Sequence, residues 1–494
     1  MHVISLKKIL YSSIFYTVGD MLTVVVSGFL LIPLYLHYMS PDDYGLFSSV
    51  NTLSSMFGIV FLIGLHSAAT RYFYVYRKTK KEFEYLGNVW IAQMLFAFAG
   101  VSLSLLIGPK IWHFISPAVP YKPFYIFVLA SALLSFSMGV YPIWLRIQEK
   151  PIAFVFLQLF RTAVLLVLIL VFLVWLKLGV IGALSAVLGA SVFSAVISFI
   201  CLGRCLKCKL RFSYLKDSFQ FGVLIMLGTL GYVLMQRSQI FVLQRYTELS
   251  DVGIFNLGLQ FGYILIIIST SFGKAWQPLI YSSVDRQVAN NAIRKISKYF
   301  FFAVTYIALA LLLFSKEIIL LIARPEYFGA IPILKLIILA SFFYVCTSLP
   351  VSSLMYSCRV APVQICIWIM FLLNIALSVF MIPKWKLIGS ACSMVIVFFI
   401  YSVAVFILAQ RDARVDYDKE SVLKILVAGG AIFLASLVLS PNFCLVFQCI
   451  YKICLLISYP IILFIAHVFS WEKFTMELVR LRSKFVLYLA NQKR

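Results

Sequence analysis

Charged residues are scarce in this sequence, and acidic residues especially so. Of 494 residues, 63% are hydrophobic and only 12% are charged, whereas soluble domains carry about 25% charged residues. This composition excludes an ordinary soluble protein. Apolar runs recur along the whole chain, and each bilayer crossing needs roughly 20 mainly apolar residues. We therefore expect an all-α polytopic membrane protein, because backbone polar groups in lipid must be satisfied within their own segment.

The sequence also lacks the motifs that carry enzyme or metal chemistry. It contains no G-x-S-x-G, phosphate-loop or H-E-x-x-H pattern, and its five His residues show no metal-binding spacing. Most of the ten Cys residues lie in or beside apolar runs, which argues against a disulfide scaffold. Cys201, Cys205 and Cys208 have no fourth ligand nearby to complete a zinc site. We expect no enzyme activity, no metal and no cofactor.

What the chain does have is about 14 candidate transmembrane spans. They cover residues 12–38, 46–66, 88–108, 124–145, 152–175, 179–202, 219–244, 252–273, 299–322, 331–353, 362–382, 388–409, 422–440 and 443–467. The net charge of +24 could indicate nucleic-acid binding. The basic residues sit in short connections between spans, however, which is the positive-inside pattern of a membrane protein. We therefore expect no nucleic-acid partner.

The basic residues also set the orientation. With the N terminus in the cytoplasm, 30 of the 42 Lys and Arg residues fall near the inner side and 10 near the outer side. The remaining two, Arg161 and Arg237, fall inside spans. Because this bias orients membrane proteins, both termini are predicted to be cytoplasmic.

The chain repeats itself at an offset of about 208 residues. Residues 33–48 resemble residues 241–256, with Gly45 aligned to Gly253, and residues 177–184 resemble 385–392. Six spans per repeat gives two parallel six-helix halves related by an axis along the membrane normal, with a binding site expected in a central cavity between them. The predicted divisions are an N-terminal half (1–210), a C-terminal half (211–412), and two additional helices with a basic tail (413–494).

Three stretches resemble a known family. They are P-L-Y-L-H-Y-M-S-P-D-D-Y-G-L-F (33–47), G-L-H-S-A-A-T-R-Y-F (64–73) and Q-R-S-Q-I-F-V-L-Q-R-Y-T-E-L-S-D-V-G-I-F (236–255). They are similar to the polysaccharide-biosynthesis flippases, of the O-antigen type, within the multidrug/oligosaccharidyl-lipid/polysaccharide exporter (MOP) superfamily. Members often carry an acid near the position of Gln236, and its absence here leaves the coupling mechanism open.

The resemblance implies a flippase in a bacterial inner membrane. It would move polyprenyl-diphosphate-linked oligosaccharide between leaflets for polysaccharide or lipopolysaccharide O-antigen synthesis. The implied partners are this lipid-linked substrate, membrane lipids and, as a candidate, polysaccharide polymerase machinery. Two alternatives remain: a multidrug or cation antiporter of the same superfamily, which would normally carry more than one buried acid, and a membrane-embedded polysaccharide polymerase, which usually carries a sizeable outer loop.

Polar residues inside spans are expensive and therefore mark candidate sites. Two stripes each follow one helix face, at equivalent places in the repeat. The first contains Ser12, Tyr16, Asp20, Thr23 and Ser27, and the second contains Thr229, Tyr232, Gln236 and Gln239. Tyr16, Tyr232 and Gln236 are accordingly candidate substrate-binding residues that face a cavity. The alternative is hydrogen bonding between helices, which selects the same residue types.

Charged residues supply the other candidates. Arg161 is predicted to bind the diphosphate and Asp20 to couple an ion, or the two form a structural pair. Arg237 is a further candidate cation in the outer third of the bilayer. Arg71, Arg146 and Lys274 lie at inner span ends, where they either anchor the protein or recruit an anionic headgroup.

The orientation is testable by labelling single cysteines from outside the cell. In a background without native Cys, we expect labelling of Asp43→Cys and no labelling of Lys80→Cys, because the basic bias puts position 80 in the cytoplasm. Labelling at 80 but not at 43 would reverse the orientation.

Overall fold

The computed structural model describes residue 19 and residues 26–77, 79–148, 150–203, 211, 214–281, 286–357, 360–413, 417–438 and 445–469. Within these ranges the chain forms helices and turns, with no strand. A π-helical turn at Ser27–Leu31 precedes the first α-helix. The α-helices are α1 (Ile32–Tyr38), α2 (Pro41–Leu62), α3 (Leu65–Arg77), α4 (Glu82–Ile115), α5 (Phe124–Leu134), α6 (Val140–Ile147), α7 (Pro151–Ile169), α8 (Gly179–Gly203), α9 (Leu215–Tyr246), α10 (Leu249–Tyr281), α11 (Arg286–Leu313), α12 (Ser315–Ile322), α13 (Ala330–Cys346), α14 (Ser348–Tyr356), α15 (Val360–Leu408), α16 (Lys419–Val438) and α17 (Leu445–Ile465).

The helices confirm the all-α polytopic membrane fold. In the described part of the chain, 11 helices are long and apolar enough to cross a bilayer. One of these 11, Ala361–Asp412, is 52 residues long and turns at Lys386, whose backbone is non-helical (φ 44°, ψ −124°). Because a crossing takes roughly 20 residues, this segment accounts for the two predicted spans on either side of the bend.

Two of the predicted spans that differ from the observed helices bear on the site. The span predicted at 46–66 ends earlier, at Leu62, because Ile63 and Gly64 adopt positive φ values of 48° and 64°. The span predicted at 124–145 is interrupted by a 3₁₀ turn at Ser135–Met138. Pro142 follows this break and has no N–H to bond the carbonyl of Met138, so a regular helix cannot run through it.

The described residues fall into two compact units. The first covers Met1–Ser282 and Ile318–Ala413, and the second covers Ser283–Glu317 and Arg414–Arg494. In the second unit, the Tyr459 ring stacks on Phe302 with centroids 5.7 Å apart, and Lys452 forms a 2.6 Å ion pair with Glu317. These units reflect contacts rather than the internal repeat, so the divisions at 1–210, 211–412 and 413–494 stay predictions.

In the first unit, α2 and α10 touch near their N-terminal ends through two glycines. A methyl group added at Gly45 would overlap the carbonyl oxygen of Leu249, and one added at Gly253 would overlap the carbonyl oxygen of Pro41. Pro41 and Leu249 are themselves 208 residues apart, as Gly45 and Gly253 are. Each repeat therefore uses the same residues to touch the other, which is the reciprocal pattern of a twofold axis.

A second close approach lies at the other end of α2, about 28 Å away at 1.5 Å per residue. Here the backbone of Gly64 touches that of Gly222 on α9, again with no room for a side chain on either residue. Nearby, the Tyr85 hydroxyl of α4 lies 2.8 Å from the Ser218 hydroxyl of α9. We call these two regions the Gly45 contact and the Gly64 contact.

Adding one methyl group at the Gly45 contact should destabilise the protein. We expect Gly45→Ala and Gly253→Ala each to cost about 1–3 kcal/mol, because two backbones must separate to admit the new carbon. Thermal unfolding of the purified variants measures this. Gly430→Ala on α16 is the matched control, since nothing lies within 4 Å of the added carbon. Equal unfolding temperatures for all three variants would contradict the tight contact.

Candidate functional site

A cavity of about 480 Å³ lies in the first unit, between α2, α3, α5, α7, α8 and α9. Its walls carry one Arg, one His, one Asn and a set of hydroxyl groups. The polar side chains that line it are Asn51, Ser54, Ser55, His66, Ser131, Ser135, Arg161, Ser191 and Thr229. The turn at Gly64 and the helix break at Gly139 also border it. Both departures from regular helix described above therefore serve to shape this space.

Arg161 supplies the positive charge of the cavity. Its side chain comes from the middle of α7 and is half-buried. Among the described residues that line the cavity, it is the one permanently charged side chain, and no carboxylate accompanies it. A fixed guanidinium with hydroxyl neighbours can bind an anionic oxygen group with two parallel hydrogen bonds.

The hydroxyl groups on the walls are oriented by their own helices. Ser54 and Ser55 donate to the backbone carbonyls of Val50 (2.7 Å) and Asn51 (2.9 Å). Ser191 and Thr229 do the same to the carbonyls four residues earlier, each at 2.9 Å. Their protons are thus committed, whereas the oxygen lone pairs remain available. The cavity wall consequently offers hydrogen-bond acceptors, which suits a ligand that carries many hydroxyl donors.

A second polar group joins α9 to α10, apart from the cavity lining. The Arg237 guanidinium donates to the Tyr263 hydroxyl (Nε, 3.1 Å) and to Asn256 Oδ1 (Nη1, 3.2 Å). Tyr263 in turn donates to Gln236 Oε1 at 3.0 Å, and Gln236 Nε2 donates to the Tyr232 hydroxyl at 2.9 Å. The Arg237 charge also sits 4.8 Å from the centroid of the Tyr263 ring. Three predicted site residues thus meet, with Tyr263 between them.

The polar stripe on α9 therefore divides. Thr229 lines the cavity. Gln236 is only 3% exposed, and its amide oxygen and nitrogen are hydrogen-bonded to Tyr263 and Tyr232. Gln239 donates to Asn374 Oδ1 at 2.8 Å, and Asn374 donates to the carbonyl of Met235, also at 2.8 Å. These bonds fasten α9 to α15. For Gln236 and Gln239 the structure shows the bonding between helices that the sequence left as the alternative.

The remaining predicted residues lie outside the cavity lining or outside the described residues. Arg71 and Arg146 are exposed. The Arg71 guanidinium lies 4.9 Å from the Phe221 ring centroid, and that of Arg146 lies 4.4 Å from the Phe154 ring centroid. Lys274 belongs to α10, but its side chain is outside the described atoms, as are Tyr16 and Asp20. The roles predicted for these residues stay predictions.

Sequence reasoning missed several polar residues of the first unit. Asn51, Ser54, Ser55 and Gly58 line the cavity from α2, and their spacing of three, four and seven residues marks one helix face. Asn256 and Tyr263, the partners of Arg237, are seven residues apart on α10 and also share a face. A search of every span for such stripes would have found both sets.

Comparison with known proteins places these features in a family. The family model described as polysaccharide biosynthesis protein matches residues 5–284. Two proteins of Haemophilus influenzae are similar in sequence. One, described as an uncharacterized membrane protein, is 23% identical over 286 residues, which is 56% of this chain and 67% of the relative. The other, described as Lsg locus putative protein 1, is 21% identical over 330 residues, or 65% of this chain and 78% of the relative.

Solved structures share the fold. The inward closed conformation of the lipid II flippase MurJ superposes with a TM-score of 0.68 at 16% identity, over 93% of this chain and 99% of that one. An inward-facing multidrug resistance transporter of the MATE family, in the MOP superfamily, gives a TM-score of 0.64 at 14% identity, over 81% and 94%. The chain shares the fold of these two structures, and the resemblance to the polysaccharide-biosynthesis family noted in the sequence is confirmed. By its family match, which covers more than half its length, the chain belongs to the polysaccharide biosynthesis protein family.

Proposed function

We propose that this protein is a flippase that moves polyprenyl-diphosphate-linked oligosaccharide across a bacterial inner membrane, with both termini in the cytoplasm. The transported units would supply surface polysaccharide such as the O-antigen of lipopolysaccharide, and the polymerase that consumes them is the expected partner. The family description and the fold shared with a lipid II flippase support the substrate class. No step of this process requires catalysis by the protein.

The observation that carries the proposal is the placement of Arg161 in a cavity whose lining also includes several Ser and Thr hydroxyl groups. A diphosphate that links a lipid to a sugar carries two negative charges, and in a low-dielectric site a fixed Arg binds such oxygens more strongly than in water. The oxygen lone pairs of Ser54, Ser55 and Thr229 can accept hydrogen bonds from sugar hydroxyls. The Arg161 guanidinium thus suits the diphosphate, and the hydroxyl oxygens suit the oligosaccharide.

The same lining argues against export of cationic drugs. A cationic substrate would require a carboxylate, and the described part of the cavity lining contains none. Asp20, outside the described residues, is the acid that the sequence offers for ion coupling. We retain that role for Asp20 as part of the proposal.

The two glycine contacts suggest how the cavity opens to each side in turn. The Gly45 contact and the Gly64 contact lie at opposite ends of α2, the first against α10 and the second against α9. Separating one while keeping the other would expose the headgroup to one side of the membrane, as rocking of parallel repeats requires. Arg71, Arg146 and Lys274 would attract the anionic headgroup to the cytoplasmic mouth. Arg237 would contribute indirectly with Tyr232 and Gln236, by holding α9 against α10 during this motion.

Replacing Arg161 should abolish transport without loss of the protein. In native host cells deleted for the gene and complemented with variants, we expect Arg161→Ala to lower surface polysaccharide at least tenfold. Arg161→Lys should lower it partially, because Lys keeps the charge but lacks the planar pair of donors. Immunoblots of membranes provide the protein level, and Lys216→Ala, at an exposed site on α9 outside the cavity lining, is the control for general loss of charge. Full activity of Arg161→Ala would refute the proposed site.

The double variant Asp20→Asn, Arg161→Gln separates a substrate role from a structural ion pair. If Arg161 served only to neutralise Asp20, each single change would strand a charge in the membrane and the double change would restore export. We expect the double variant to insert at a normal level and remain inactive. Restored export would assign Arg161 to the pair alone.

A further inference from the structure

His66 is an ionisable residue of the cavity to which the proposed mechanism gives no role. It lies at the start of α3, directly after the turn at Ile63 and Gly64, and its ring lines the same cavity as Arg161. Its Nδ1 atom is enclosed and has no hydrogen-bond partner among the described residues. Buried polar atoms are almost always paired, so an unpaired one at a cavity wall calls for a functional explanation.

The surroundings of His66 keep its ring neutral while the cavity is empty. Burial lowers the pKa of His66 from its ordinary value, because the charged form loses its hydration. Arg161 is the charged side chain that shares the described cavity lining with it, and the described lining contains no carboxylate that would favour a charged ring.

Helices α4, α6 and α9 also pack against α3, and their charged groups named next are engaged or exposed elsewhere, whereas the side chain of Asp217 on α9 lies outside the described residues. Glu84 of α4 pairs with Arg211 at 3.3 Å, and Arg146 of α6 lies over the Phe154 ring. Lys216 of α9 is exposed, as is Glu82 in part, and neither lines the cavity. Tyr85 of α4 bonds to Ser218 and stays neutral near pH 7. Asp20 lies outside the described residues. The Asp20→Asn variant tests whether the pH dependence comes from Asp20 instead of His66.

A bound diphosphate reverses this balance. An ester-linked diphosphate carries two negative charges, of which Arg161 neutralises one. The excess negative charge favours protonation of a neighbouring imidazole, and a histidine is the side chain that can gain such a charge near neutral pH. The protonated ring carries an N–H on both nitrogens, so Nε2, which is not among the enclosed atoms, could donate to a phosphate oxygen.

We propose that His66 takes up a proton when the diphosphate headgroup enters the cavity and so acts as a second, ligand-dependent cation beside Arg161. The inference rests on the proposed function and extends it, because it makes headgroup binding proton-linked. By linkage, if the ligand raises the proton affinity of His66, then acid raises the affinity for the ligand by the same factor. Without ligand, His66 stays neutral and Arg161 is the charged side chain of the described cavity lining.

The test measures binding of a short-chain prenyl-diphospho-N-acetylglucosamine to the purified full-length protein in detergent, from pH 5.5 to 8. Both phosphates of this probe are esterified, so its charge does not change over that range. We expect the wild-type affinity to fall about five- to tenfold as the pH rises. His66→Gln should bind weakly and equally at every pH. His66→Lys, with a permanent charge, should bind tightly and equally at every pH.

Controls separate this inference from the proposed function. His37→Gln, at an exposed position on α1, should retain the wild-type pH dependence. Calorimetry in two buffers of different ionisation enthalpy should detect net proton uptake on binding to the wild type and none for His66→Gln. A flat wild-type profile, or a His66→Gln variant that keeps the slope, overturns the role of His66, and loss of the slope in Asp20→Asn alone assigns it to Asp20 instead. Unaltered binding by Arg161→Ala refutes the diphosphate site itself.

Discussion

The contact between Gly45 and Gly253 is the constraint on which the first unit depends. It brings two backbones together without side chains between them, at residues that occupy the same place in each repeat. The cavity lies toward the other end of α2, where Gly64 borders it. Its lining comes from helices before residue 204, together with Met226 and Thr229 of α9. The Gly45 contact and the cavity therefore occupy different parts of α2.

The two polar groups of the first unit differ in how fully their hydrogen bonds are used. Around Arg237 the guanidinium donates to Tyr263 and Asn256, and Tyr263 donates to Gln236. Such a network between protein groups holds helices in register. In the cavity, by contrast, the protons of the hydroxyl groups are spent on their own helices while the lone pairs remain. The unpaired nitrogen of His66 belongs to the same pattern. Unused bonding capacity, more than polarity, distinguishes the candidate site.

The sequence allowed the fold to be predicted more fully than the site. Apolar runs of about 20 residues determine spans directly, and the aligned glycines indicated the repeat before any contact was known. The interruptions of the helices were harder to predict, since the turn at Ile63 depends on a left-handed backbone that a β-branched residue rarely adopts. The cavity draws residues from six helices, and no pattern within one helix reports what the other helices contribute. The hydrogen bonding of Gln236 could not be predicted for the same reason, because its partner Tyr263 lies on another span.

The reciprocal contact of Pro41 and Gly45 with Leu249 and Gly253 has an evolutionary implication. A contact in which each side uses equivalent residues is the one that two identical chains would form around a twofold axis. A half-length ancestor could therefore have assembled as a homodimer through this surface before its gene was duplicated and fused. Fusion released the two halves from identity, since a substitution in one copy no longer appears in both. The placement of Arg161 in one half alone, with Trp368 and not a second arginine 207 residues later, is an asymmetry that such a dimer could not have carried.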